Sequence, residues 1–259
     1  NMSIHGLTID YGPYGWLEDF DPDWTPNTTD ERTKRYRFGH QAQIGAWNYA
    51  RLLESISPLM DDPEKLYSAL EFYYKSYEKY NNEMWSGKLG FSKFESGDEE
   101  IIIELTSILQ KVETDMTIFF RLLSSIKEPK INQLKFAFYD ENEIPEIEWN
   151  NWLERWWSRV DGKPDQEKMK ISNPKYVLRN WMSQLAIDAA EKEDYSVAIE
   201  LYELLKMPYE EQPKFEEKWF QKLLGAQPLQ SVKIFFRKWK ILIWLQVVQA
   251  SFDTFEFFP

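Results

Sequence analysis

Two side chains near the start of the chain have the types and spacing to share a divalent cation. His5-Gly6 sits between two short apolar runs, Met2 with Ile4 and Leu7 with Ile9, and reads as the two-residue loop of a tight hairpin. In that register Ile4 faces Leu7, Ser3 faces Thr8, Met2 faces Ile9, and Asn1 faces Asp10 at the open end. Directly opposed residues have Cβ atoms about 4.5–5.5 Å apart. An amide oxygen beside a carboxylate is a hard-oxygen pair suited to Mg²⁺, which takes one or two protein ligands and keeps water and phosphate oxygens elsewhere. Asp10-Tyr11-Gly12 then reads as a metal-binding Asp followed by a flexible glycine. On spacing alone, an ordinary turn is the competing reading.

Other candidates have blander readings. His5 occupies a turn position and is expected only to make the turn. The acidic stretch Glu18, Asp19, Asp21 and Asp23 lacks EF-hand spacing and a closing bidentate Glu, so it reads as a solvated loop. Trp149, Trp152, Trp156 and Trp157 have the spacing of a core stripe rather than of a stacking platform. Lys175 reads as a solvated surface lysine, with nucleotide binding as its sharper alternative. For Arg179 a helix-anchoring ion pair and contact with a phosphate or acidic loop both stay open.

Composition removes whole classes of function. There is no Cys and only two His in 259 residues, which excludes disulfides, thiolate zinc, iron–sulfur ligation, a cysteine nucleophile and a multi-histidine metal cage. The net charge of −12 disfavours general binding to nucleic acid or anionic membranes. A hydrophobic content of 43% describes a globular chain, and only 10 Gly argue against a turn-rich all-β design. The opening residues lack the basic and apolar regions of a signal peptide, and the abrupt strand-like start suggests a piece of a longer protein. Together with the missing cysteines, this points to the cytoplasm.

The elements that must carry the hairpin are helical. Apolar periodicity predicts helices over 41–57, from Asp62-Pro63 to about Asn81 with Gly87 and Gly90 as breakers, after Ser96-Gly97-Asp98, over 115–126 and over 146–160. Asn173-Pro174 is expected to cap a long helix reaching Lys192, and a short helix over 194–206 stops before Pro208. Residues 18–34 and 128–145 read as connections. The last stretch, 223–259, carries Lys233, Arg237, Lys238 and Lys240 against Asp253 and Glu256. Its apolar run from Ile241 to Val248 falls far short of the ~20 residues of a membrane span. It reads as a docking or disordered terminal segment, with a membrane-surface helix as the alternative.

The wider sequence resembles one family. Asn1-Met2-Ser3-Ile4 and Gly6-Leu7-Thr8-Ile9-Asp10-Tyr11-Gly12-Pro13 are similar to the central motif of the selenoprotein O family of kinase-like protein adenylyltransferases. Further blocks come in order: Tyr36-Arg37-Phe38 with Gln41, then Trp47-Asn48, then Asp115-Met116-Thr117 with Phe120-Arg121-Leu122-Leu123-Ser124. Asn173 through Asn180, Asp188-Ala189-Ala190-Glu191 and Pro208 through Pro213 continue the likeness, which covers roughly residues 1–222.

The resemblance implies a mainly α chain: the C-terminal lobe of a protein-kinase-like fold entered through one β-hairpin, with a helical extension and without the N-terminal lobe. The expected divisions are 1–130 for the lobe portion, 131–222 for the extension and 223–259 for a divergent tail. It implies transfer of AMP from ATP to Ser, Thr or Tyr hydroxyls of proteins, with Mg²⁺ or Mn²⁺ as cofactor. Asn1 and Asp10 become the metal ligands, and Asp10 also lies against the nucleotide. The family's catalytic base precedes the Asn-Met-Ser run and its nucleotide lobe lies further upstream, so residues 1–259 alone are expected to be inactive. Some members carry a cysteine in the loop matching Trp24-Thr25-Pro26-Asn27 and another near the C-terminus; thiol control is therefore not available here. The competing functions are a non-catalytic acidic helical interaction module and a kinase-like small-molecule phosphotransferase.

Overall fold

A computed structural model of the chain describes residues 15–26, 30–60, 62 and 64–222. The segment 1–14, in which the hairpin pairing Asn1 with Asp10 around His5-Gly6 is expected, and the tail 223–259 lie outside the described residues. The described part is mainly helical: α1 (Gln41–Ile56), α2 (Glu64–Leu89), α3 (Asp98–Leu109), α4 (Met116–Leu123), α5 (Glu146–Arg159), α6 (Gln166–Ser172), α7 (Asn180–Ala190), α8 (Ser196–Leu205) and α9 (Pro213–Trp219). Among these residues the only β pairing outside helices is an isolated antiparallel bridge, Thr114 with Phe138. No helix among them is long and apolar enough to cross a membrane.

The chain divides into two compact units. One is built from described residues between 21 and 85, the other from 15–20 with 86–222. In the first, α1 buries Ile44, Ala46 and Leu53. The predicted stripe through Trp47 drifts off this face, because a strict three-residue repeat lags the 3.6-residue turn. Trp47 is 45% exposed, with the Arg35 guanidinium 4.1 Å from its ring centroid. Tyr73 of α2 donates to the Ala42 carbonyl at 3.0 Å and stacks on Tyr49. Its hydroxyl lies where a Cβ on Gly45 would be, 2.5 Å away, so glycine at 45 permits the close approach.

The second unit has a tryptophan core. Trp149, Trp152 and Trp156 of α5 are fully buried, as the stripe predicts, while Trp157 is half-buried. Trp152 Nε1 donates to the Ile101 carbonyl in α3, and Trp156 Nε1 donates to the Leu89 carbonyl at the end of α2, both at 2.9 Å. Each indole thus buries a large apolar area and satisfies a polar group in the same place. A second cluster joins α7, α8 and α9 through Trp181, Met182, Leu201, Leu204 and Trp219, with Trp181 and Trp219 stacked at 5.6 Å.

Two helix boundaries and two short helices differ from the sequence reading. α2 runs through Gly87 to Leu89, where Gly90 ends it at φ +70°. Gly87 survives inside the helix because Ser172 Oγ packs against its Cα. The stretch 173–179 is not helical. Pro174 disfavours the helical region at Asn173, which is extended at φ −119° and ψ 98°. Lys175 and Tyr176 instead donate their N–H groups to the Pro208 carbonyl, at 2.8 and 3.1 Å, and α7 begins only at Asn180. Two seven-residue helices, α6 and α9, have no counterpart in the sequence reading. The first is capped by the Asp165 carboxylate on the Lys168 N–H, and the second starts on Pro213.

Candidate functional site

The proposed metal ligands Asn1 and Asp10 lie outside the described residues, so the site is built up from the segment downstream of them and its partners. Asp115 is the centre. Its backbone N–H donates to the Ala137 carbonyl at 2.8 Å, and its Oδ1 caps α4 by accepting from the Ile118 N–H at 2.9 Å. The same carboxylate receives Arg179 in a two-pronged pair, Nη2 to Oδ1 at 2.9 Å and Nη1 to Oδ2. Both residues are buried, 0% and 2% exposed. Of the two openings left for Arg179, the structure selects the ion pair. The bidentate, charge-assisted geometry makes Arg179 the counter-ion of the Asp115 carboxylate.

This pair sits beside Glu18 in the segment 15–20. Tyr139 donates its hydroxyl to Glu18 Oε2 at 2.9 Å, and the Glu18 carbonyl accepts from the Met116 N–H at 2.9 Å. Burial raises the Glu18 carboxyl above its ordinary value, against the opposing pull of Arg179 and the Tyr139 hydrogen bond. Burial and the nearby Glu18 and Asp115 charges also push the Tyr139 phenol up, so it stays a donor. Glu18 therefore departs from the solvated loop expected for it. Beside it, Asn180 closes both sides of one residue: the Trp16 N–H donates to Asn180 Oδ1 at 2.7 Å, and Asn180 Nδ2 donates to the Trp16 carbonyl at 2.9 Å.

The remaining blocks are also joined by polar contacts. Arg121, 5% exposed, donates to the carbonyls of Lys170 and Asn173 and to Glu211 Oε1. Lys175 is 5% exposed and reaches Glu211 at 2.6 Å and Glu216 at 2.9 Å, so it is neither a solvated lysine nor free for nucleotide. Asn173 donates to the Lys88 carbonyl and accepts from Lys88 Nζ at 3.0 Å. Burial holds the Lys88 ammonium down, to about 8.

In the first unit the block around Tyr36 is a folded turn. Asp30 accepts from Thr33 Oγ1 and the Tyr36 N–H, both at 2.6 Å, and Gln41 Nε2 donates to the carbonyls of Tyr36 and Arg37. Among the described residues no group of three or more His, Cys, Asp or Glu could hold a metal ion. An open depression of about 510 Å³ lined by Ile126, Lys127, Trp157 and Gly162 has Asp165 and Glu167 as its carboxylates, and Asp165 already caps α6.

The sequence reading did not foresee that Glu18, Asp115, Tyr139 and Arg179 form one network. The signal was partial: Asp115 and Arg179 both stand in the quoted blocks, whereas nothing about Tyr139 marks it. Comparison with known proteins accounts for the blocks. The family model described as protein adenylyltransferase SelO matches residues 1–207. The chain belongs to the SelO family. Relatives named protein nucleotidyltransferase YdiU include one from Flavobacterium johnsoniae, 49% identical over 235 residues, covering 86% of this chain and 45% of the relative. Another from Rhodopirellula baltica is 45% identical over 84% of this chain and 45% of its own length, and one from Aromatoleum aromaticum is 43% identical over 82% and 42%. The chain thus spans less than half the length of these SelO-family relatives. The buried ion pair, Asn180 and the Arg121–Glu211–Lys175 set lie in blocks read from the sequence, whereas Trp16, the partner of Asn180, lies outside them.

Proposed function

We propose that the longer protein of which this chain is a part transfers AMP from ATP to Ser, Thr or Tyr hydroxyls of proteins, on a kinase-like scaffold. The reading is carried by the family match over residues 1–207, a range that includes both Asn1 and Asp10. Their donor set, one amide oxygen and one carboxylate oxygen, suits Mg²⁺ or Mn²⁺ and leaves the rest of an octahedron to water and phosphate. When bound, the ion supplies charge neutralisation at the phosphates. Asn1 and Asp10 would hold it, with Asp10 against the nucleotide.

In the proposed reaction a protein hydroxyl oxygen bonds to the α-phosphorus, the bond from that phosphorus to the β-phosphate oxygen breaks, and pyrophosphate leaves. The hydroxyl proton passes to a base, which the family resemblance puts before Asn1. Positioning and charge stabilisation then supply most of the rate. Residues 1–259 taken alone are proposed to be inactive, since the base and the nucleotide lobe of the resemblance are not among them.

The test supplies α-labelled and γ-labelled ATP to the full-length protein. Label from the α position alone, lost in Asp10→Ala, supports the proposal. Transfer of γ label would mean a kinase-like phosphotransferase, and no transfer of either would favour a non-catalytic interaction module. Retained labelling in Asp10→Ala would reject the metal assignment.

A further inference from the structure

A basic surface interrupts this acidic chain. Residues 32–53 contain Arg32, Lys34, Arg35, Arg37 and Arg51 and no Asp or Glu, although the net charge of the whole is −12. Arg37 pairs with Asp23 and Arg51 with Glu54, whereas among the described residues no ion pair engages Arg32, Lys34 or Arg35. Asp30 feels the Arg35 charge, yet its two oxygens accept from Thr33 Oγ1 and the Tyr36 N–H, both at 2.6 Å. Arg35 is exposed and lies instead over aromatic rings, 4.1 Å from the Trp47 centroid and 5.8 Å from that of Tyr36. The Arg51 guanidinium is 5.6 Å from the same Trp47 ring, which is itself open to solvent. Stacking occupies the face of a guanidinium and leaves the N–H donors on its edge for a carboxylate. A stacked arginine is also pre-organised, so less side-chain freedom is lost when that carboxylate docks.

We propose that the Arg35–Trp47 surface docks protein substrates of the adenylyltransferase through an acidic segment. This rests on the function proposed above, and it names the substrate class as proteins with an exposed run of Asp and Glu. Charge complementarity carries the choice. Charges more than a Debye length of about 8 Å away are largely screened, so the local cations set the sign of the field that a docking segment meets. A nucleic acid would bring many phosphates against a chain of net charge −12, and two copies of this chain repel one another for the same reason. An acidic peptide needs only a few close pairs. Arg35 offers a bidentate contact, Arg32 and Lys34 add charge, and the indole adds an apolar surface.

The experiment titrates the full-length protein into a fluorescein-labelled peptide of alternating Glu and Gly, with Gln-Gly and Lys-Gly peptides as controls, and follows anisotropy. The Glu-Gly peptide is expected to bind best, and about 0.3 M NaCl should weaken its binding. Arg35→Glu should weaken it by about ten-fold. Its melting temperature should stay within about 3 °C of the parent, because the side chain is exposed. Arg35→Lys should fall between the two, since an ammonium keeps the charge but not the planar edge. Lys192→Glu makes the same change of net charge at an exposed lysine of the other unit and should leave binding unchanged. With α-labelled ATP and a Glu-Gly peptide carrying a Ser as acceptor, Arg35→Glu should raise KM for the peptide and leave kcat alone. Equal binding of the Glu-Gly and Gln-Gly peptides, or parental binding by Arg35→Glu while AMP transfer continues, would overturn this proposal alone. Tighter binding of a single-stranded oligonucleotide, or self-association of the parent, lost in Arg35→Glu, would give the surface another partner and overturn it as well. If the parent transfers no AMP, the adenylyltransferase reading fails, and the substrate role of this surface falls with it even where the peptide still binds.

Discussion

Arg179 and Asp115 lie 64 residues apart in sequence and meet in a buried bidentate ion pair that ties the start of α7 to the start of α4. The Ile118 N–H also donates to Asp115 Oδ1, so each buried charge has its opposite beside it and the carboxylate has a further donor.

Removing one partner leaves the other charge unpaired. Arg179→Met is expected to lower unfolding stability by about 3–5 kcal/mol, measured by urea denaturation. Arg179→Lys should also destabilise, because an ammonium cannot form the two parallel bonds of the guanidinium. A double-mutant cycle with Asp115→Asn should show strong coupling, and additive losses would contradict the pairing.

Two glutamates should respond to pH with opposite sign. Burial raises Glu18 above 4.5, so the folded state holds its proton more tightly than the unfolded chain and stability falls as pH rises from 4.5 through the raised value. Glu18→Gln should therefore be more stable than the parent at neutral pH, with the two converging below pH 4.5. At Glu211, burial acts upward but is outweighed by hydrogen bonds from Lys175 and Arg121, and the net shift is downward. Its contribution is present above 4.5 and disappears as pH falls through the lowered value. Glu211→Gln should thus be the less stable protein at neutral pH and match the parent in acid. Denaturation midpoints across this range check both signs.

Trp156 tests the tryptophan core. Trp156→Phe keeps an aromatic ring but removes the donor to the Leu89 carbonyl, and about 1–3 kcal/mol is expected for leaving a buried acceptor unmet. Trp156→Ala adds a cavity and should reach about 3–5 kcal/mol. Equal losses for the two variants, read by denaturation, would mean that the hydrogen bond contributes nothing.

Chelation tests the proposed cofactor in the full-length protein. EDTA should abolish AMP transfer and added Mg²⁺ should restore it. Transfer that persists in EDTA would remove the role given to Asn1 and Asp10.

Helices with clear apolar periodicity were legible. α1, α3 and α5 fall within a few residues of their predicted spans, and the buried Trp149, Trp152 and Trp156 come from spacing alone. The failures have one physical cause, which is that distant partners overrule local signals. Asn173-Pro174 looks like a helix start, yet the Asn173 side chain is drawn to Lys88 and the backbone N–H groups after Pro174 to the Pro208 carbonyl. Gly87 looks like a breaker, yet Ser172 needs that space. Lys175 reads as solvated because its partners, Glu211 and Glu216, lie far along the chain. The candidate site was legible as a set of blocks, but not the contacts that join them.

The Asn180–Trp16 contact spans 164 residues of sequence. During synthesis at about 5–20 residues per second, Trp16 waits on the order of 10–30 s before the residue that receives it has been made. The Trp16 segment must therefore remain undocked on the ribosome while most of the helices form. Any nascent chain truncated before Asn180 would carry Trp16 without that partner, a natural client for chaperones that shield newly made polypeptides.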